Sequence, residues 1–251
     1  MRASFWLLLI LSACAQREVK PTLVTAEKAD ATYRARAHTE LAAGYYSRGQ
    51  LGVVLDELAE ALRADSSYVP AYNMMGLTYM ELRDDRLASQ NFAKALALKP
   101  SDSETNNNYG WYLCNRGHER ESIKHFSVAI ADPLYPTPEK PLVNAGICSR
   151  RFGDETAALD YFARALKIRS DEPQASYNLA AIYFQSGDYE RAKNYLSTAL
   201  RTAAATPEAL WLGIQLERKL GDKGAEASYG LQLRRKFPNA RETQLLTDGE
   251  Q

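Results

Sequence analysis

A period of 34 residues constrains this chain more than any other feature, because a sequence repeating at that spacing folds as stacked modules and not around one central core. The copy SYNLAAIYFQSGDYERAKNYLSTAL, Ser176 to Leu200, sets the frame when Pro173 is counted as position 1. Position 8 is then Ala42, Gly76, Gly110, Gly146 and Ala180, and position 11 is Tyr45, Tyr79, Leu113, Ser149 and Tyr183. Position 15 reads Gly49, Arg83, Gly117, Gly153 and Gly187. Position 24 reads Leu58, Phe92, Phe126, Phe162 and Leu196, and position 27 is alanine throughout (Ala61, Ala95, Ala129, Ala165 and Ala199).

Each column has a physical reason. A small residue at position 8 lets a paired helix come close, and the bulky position-24 side chain fills the space beside it. Glycine at position 15 suits a helix end that needs a left-handed backbone. Alanine at position 27 combines high helix propensity with little bulk. Each hairpin leaves one face uncovered, so neighbours must stack. The expected fold is all-α, a right-handed tetratricopeptide (TPR) superhelix of about six helix-turn-helix repeats with a concave groove. Units run 35–68, 69–102, 103–136, 139–172, 173–206 and, more weakly, 207–240. The sixth has Ile214 at position 8, Glu217 at position 11 and an extra Gly224, as expected of a terminal cap. Residues 241–251 are expected to fray. Four prolines and two extra residues in DPLYPTPEKP, Asp132 to Pro141, predict a stiff irregular junction between units 35–136 and 137–240, either a bend between two three-repeat halves or, the favoured reading, a longer loop with a modest change of angle.

The N-terminus is a different kind of segment. Arg2 precedes the apolar run Phe5 to Leu11, far short of the roughly 20 residues a spanning helix needs. It matches the core of a signal peptide over 1–13, followed by Leu11-Ser12-Ala13-Cys14. That tetrapeptide resembles the lipobox of bacterial lipoproteins, which implies acylation at Cys14 and anchoring by more than one chain. Ala15 in place of aspartate favours the outer membrane, and residues 14–34 read as anchor and tether.

Lysine plus arginine equals aspartate plus glutamate at 31 each, and without a basic block the chain has no footprint for nucleic acid. His38, His118 and His125 fall in different repeats, and no Gly-rich phosphate loop, HExxH, GxSxG or CxxC is present. The chain is therefore expected to use no metal, cofactor or small-molecule substrate and to catalyse nothing. Asp84-Asp85 reads as capping and solvation of a turn.

Cys114 and Cys148 stand at positions 12 and 10 of successive first helices, which lie side by side in stacked repeats. Export would place them in an oxidising compartment, so a Cys114–Cys148 bond is expected over two buried free thiols. First-helix positions 2, 5, 9 and 12 line the groove. They supply Tyr46, Leu77, Met80, Trp111, Val143, Ile147, Tyr177, Phe184 and Trp211, with Arg150, Arg151 and Arg218 as possible acidic contacts. So many apolar groups exceed what a solvated face needs, although about half are expected to pack on neighbouring helices. Thr39 and Ala43 stand where a carboxylate clamp would need lysine and asparagine, so that mode of peptide binding is not expected.

The lipobox at Cys14, the tether, six TPR units, the stretch NNNYGWYLCNRG (Asn106 to Gly117) and the proline-rich insert together resemble the PilW/PilF family of type IV pilus biogenesis lipoproteins, the pilotins. The resemblance implies an outer-membrane lipoprotein on the periplasmic face. It would help the secretin multimerise or reach the outer membrane, or stabilise pili, with the secretin or another pilus assembly protein as partner. The alternative is a periplasmic TPR adaptor for peptidoglycan enzymes or outer-membrane protein assembly.

Overall fold

A computed structural model describes residues 23–202 and 205–248; Cys14 and the segment 1–13 expected to be a signal peptide lie outside these residues. The described residues form 13 helices and no strand. Six antiparallel hairpins follow in order: α1 (Leu23–Tyr46) with α2 (Leu51–Ala64), α3 (Val69–Glu81) with α4 (Asp85–Leu98), and α5 (Ser103–Asn115) with α6 (Glu119–Ile130). Then come α7 (Glu139–Arg151) with α8 (Glu155–Ile168), α9 (Pro173–Gln185) with α10 (Tyr189–Thr202), α11 (Pro207–Leu220) with α12 (Lys223–Lys236), and a single α13 (Arg241–Asp248).

Inside each hairpin the contact is set by the pair at positions 8 and 24. A Cβ added to Gly76 would stand 2.6 Å from the Phe92 ring, one on Gly110 2.8 Å from Phe126, and one on Gly146 2.6 Å from Phe162. No real Cβ tolerates that approach, so the ring lies on bare backbone. Where position 8 is alanine the partner is the smaller leucine, Ala42 with Leu58 and Ala180 with Leu196, all four in the core. Between helices the chain reverses through left-handed Gly49, Gly117, Gly153, Gly187 and Gly221. Arg83, at φ 60°, is the one non-glycine among the described residues held there, a conformation that costs an L-residue about 1–2 kcal/mol. Asp84, Asp154, Asp188 and Asp222 then accept from the backbone N–H three residues on and cap the second helices.

Between hairpins the core divides into six clusters, one per interface. Leu58 and Ala71 meet between units 1 and 2, Phe92 with Tyr112 and Leu113 between 2 and 3, and Phe126 with Ala145 between 3 and 4. Phe162 meets Leu179 between units 4 and 5, Leu196 meets Leu212 between 5 and 6, and Leu210, Ile214 and Leu233 meet Leu246 of α13. First helices touch the first helices of neighbouring units, whereas no second helix touches another second helix. The first helices therefore form the inner, tighter side of the curve.

Three expectations need correction. The segment 14–34 is not all tether, because α1 begins at Leu23 and runs unbroken into the first hairpin. In the sixth unit the close-approach residue is Gly213, whose added Cβ would stand 2.9 Å from Tyr229, and not Ile214. Gly213 and Tyr229 keep the 16-residue spacing of Gly76 and Phe92 (229 − 213 = 92 − 76), so both have slid one position against the count from Pro207. Residues 241–248 do not fray: Thr243 and Leu246 are buried, and Thr243 Oγ1 donates to the Phe237 carbonyl at 2.6 Å. The last hairpin would otherwise present an open apolar face, and α13 covers part of it. Across the proline-rich junction after α6 the stack continues, with α6 packed on α7 and α5 on α7. Tyr135 is folded inward there, donating to Glu104 at 2.8 Å, while Ser103 donates to Asp132.

Cys114 and Cys148 are joined as a disulfide across this junction, with Cα atoms 5.9 Å apart, within the usual range for a disulfide. Closing a loop over a separation of 34 residues constrains the unfolded chain by about 3–4 kcal/mol on the chain-entropy account. Cys148→Ser should lower the unfolding midpoint by a corresponding amount, and reduction should do the same to the unaltered chain. Alkylation of both Cys114 and Cys148 under denaturing conditions without prior reduction would contradict the bond.

Candidate functional site: the inner face of the solenoid

The inner face is built from one side of α1, α3, α5, α7, α9 and α11. Tyr46, Leu77, Met80, Trp111, Ile147, Tyr177 and Phe184 all lie on first helices and all are half-buried. None is a free greasy knob. Tyr46 packs against the cluster between units 1 and 2, Leu77 and Met80 against that between 2 and 3, and Trp111 against that between 3 and 4. Ile147 serves the next interface, and Tyr177 and Phe184 the one after. Each side chain thus gives one edge to the core and one to the surface. Val143 is 3 % exposed and belongs to the core, so it leaves the groove set, and Trp211 packs on the terminal cluster.

The groove arginines are engaged. Arg218 pairs with Glu226 of α12, so its charge is matched within the last hairpin. Arg151 lies over the Trp111 ring, 5.7 Å from its centroid, and donates to Asn115 at 2.8 Å. Arg150 donates to Asn178 at 3.0 Å. Arg150 and Arg151 are thus oriented by neutral amides, and these bonds leave their charges unmatched.

The histidines do not converge. His38 pairs with Glu57 at 2.7 Å in the first unit. His125 bonds Asn106 at 2.8 Å and packs on Tyr109, and burial pushes its pKa below the ordinary histidine value. Among the described residues no three metal-ligating side chains gather.

A row of asparagines accompanies the apolar residues of the groove, a feature absent from the sequence-based expectation. Asn144 Nδ2 donates to Asn107 Oδ1 at 2.9 Å, Asn107 Nδ2 to Asn108 Oδ1 at 3.4 Å, and Asn108 Nδ2 to Asn73 Oδ1 at 3.2 Å. The links run α7 to α5 to α3 along the inner side. The available signal was the triplet Asn106-Asn107-Asn108 at positions 4 to 6 of a first helix, with Asn73, Asn144 and Asn178 at positions 5, 6 and 6 of the others.

Tetratricopeptide-repeat profiles match residues 69–102 and 150–212. The chain is 28% identical over 208 residues to the type IV pilus assembly protein PilF of Pseudomonas aeruginosa, covering 83% of this chain and 82% of that one. The solved structure of Pseudomonas aeruginosa PilF superposes with a TM-score of 0.79 at 26% identity, over 88% of this chain and 99% of the other. The crystal structure of PilW, a widely conserved type IV pilus biogenesis factor, superposes with a TM-score of 0.75 at 32% identity, over 85% of this chain and 98% of the other. With that identity over nearly the whole of PilW, the chain belongs to the PilW/PilF family of TPR proteins of type IV pilus biogenesis.

Proposed function

We propose that the chain is a non-enzymatic outer-membrane lipoprotein, held on the periplasmic face by acylated Cys14. Its inner groove binds the outer-membrane secretin or another pilus assembly protein, to assemble or localise the secretin or to stabilise pili. The observation that carries this reading is the half-buried row Leu77, Met80, Trp111 and Ile147, which runs along touching first helices from unit to unit. Such a row offers a polypeptide guest apolar contact at each repeat, with the helices already ordered before binding. The membership in a pilus biogenesis family supplies the class of guest.

Two outcomes are expected. Deleting the gene abolishes surface pili or heat-resistant secretin multimers, and a Trp111→Ala chain captures purified secretin about tenfold more weakly, with helical circular dichroism retained. Normal piliation accompanied by an envelope or division defect would contradict the pilus reading. For the anchor, Cys14→Ala should end incorporation of labelled palmitate and move the protein from the membrane to the soluble periplasmic fraction. Unchanged membrane fractionation would refute lipidation as the tether.

A further inference from the structure

An apolar row lies outside the groove, on the edge of the stack where each second helix ends and the next first helix begins. Leu98 and Ile168 are the last residues of α4 and α8, and Leu134 stands between them in the proline-rich loop. They are exposed by 39%, 52% and 87%, and Leu134 is the most exposed large apolar side chain among the described residues. Its exposure is fixed by the loop and is not a result of looseness. Asp132 accepts from the Leu134 amide at 2.9 Å, and the next residue, Tyr135, is buried and bonded to Glu104. A single exposed leucine is ordinary, whereas a row along one edge marks a contact surface. The charges beside it are balanced: Asp102 pairs with Lys99, Asp132 accepts from Ser103, and Glu139, Asp171 and Glu172 all pair with Arg169.

The start of α1 says what lies against this edge. Thr32 Oγ1 donates to Asp65 at 3.0 Å, and Asp65 caps the end of α2, so residue 32 is level with the inter-unit loops. Residues 23–31 of α1 therefore project past the same edge, by about 13 Å at 1.5 Å per residue. Leu23 follows Cys14 by nine residues (23 − 14), which is at most roughly 30 Å of chain. A lipid on Cys14 thus holds the stack from the side that carries the row. Units 1 and 4 are three steps apart, roughly 30 Å at about 10 Å per helix pair. Tilting the stack by about 25° brings the end of α1 and the unit 3–4 edge onto one plane, 13 Å being offset over that distance.

We infer that Leu134 and Ile168 form a foot that rests on the phospholipid surface to which Cys14 is anchored, so that the stack stands on its lipid at one end and on this edge at the other. The inference rests on the anchored reading given under the proposed function. Two aliphatic groups do not hold a protein on a bilayer by themselves, but a chain already confined there needs only a weak contact to fix its orientation. Balanced charges suit a largely zwitterionic headgroup layer. With the edge down, the first helices stand upright and the inner face opens sideways, toward a protein in the same membrane.

The test reconstitutes the acylated full chain on vesicles of phosphatidylethanolamine and phosphatidylglycerol, with a quencher on some headgroups. A fluorophore is attached through Lys140→Cys, which is exposed beside the foot, or through Leu82→Cys, exposed at the opposite edge. Quenching at position 140 should be several-fold stronger than at position 82. Adding Leu134→Ser and Ile168→Ser should abolish that difference, with helical circular dichroism retained. Equal quenching at the two edges, or a difference that survives both replacements, would overturn the foot and spare the anchor. A chain that does not associate with the vesicles would overturn both. If the two replacements instead weaken capture of purified secretin in detergent, the row docks protein and not lipid, and the inference fails.

Discussion

How closely the two helices of a hairpin can approach decides the rest of this molecule. In units 2, 3 and 4 an aromatic ring rests on the bare backbone of a glycine, at distances that leave no room for a Cβ. In units 1 and 5 one extra methyl at position 8 is balanced by a smaller side chain at position 24, Ala42 with Leu58 and Ala180 with Leu196. The sixth unit meets the same requirement with Gly213 and Tyr229 after a one-residue slide. What is held constant is the volume between the helices, as close packing demands, and not the residue at either place.

Uniform hairpins stack uniformly, and the function follows from that. Each interface encloses its own small apolar cluster, so stability passes from neighbour to neighbour without one central core. Because first helices meet one another across units while second helices do not, the first helices line the shorter inner path, and groups at equal positions fall into rows along it. A row of half-buried hydrophobic edges and a row of amides are therefore products of the same geometry that builds the fold. The Cys114–Cys148 bond and the inward Tyr135 keep these rows in step where the proline-rich insert departs from the period.

The features that the sequence made legible are those that recur with the period. Gly110 and Phe126, Gly117, Ala129, and the adjacency of Cys114 and Cys148 could be read from spacing alone, since stacking carries equal positions to equal places. Features at the ends, where no neighbour enforces the period, were not. Counting from Pro207 points to Ile214 and not Gly213, because it assumes a register that the last hairpin does not keep. The short polar stretch 241–248 shows its two anchors, Thr243 and Leu246, only once the open face of unit 6 is seen. The asparagine row is hidden in the sequence because its members sit at two adjacent positions, 5 and 6, so no single column displays it. Val143 had a groove position by count yet faces the core, since side chains at the edge of a helical face go to whichever side has space.

A double-mutant cycle on Gly146 and Phe162 tests the volume rule most directly. Gly146→Ala alone should destabilise by about 1–3 kcal/mol through overpacking, in spite of alanine's better helix propensity. Phe162→Leu alone should destabilise through the cavity it leaves, by roughly 1–2 kcal/mol. The double variant recreates the alanine–leucine pair of units 1 and 5. Its chemical-denaturation midpoint should return to near that of the unaltered protein, a coupling on the order of 1 kcal/mol or more. Strictly additive losses in the double variant would show that the two positions do not set the helix separation together, and the account would fail at its base.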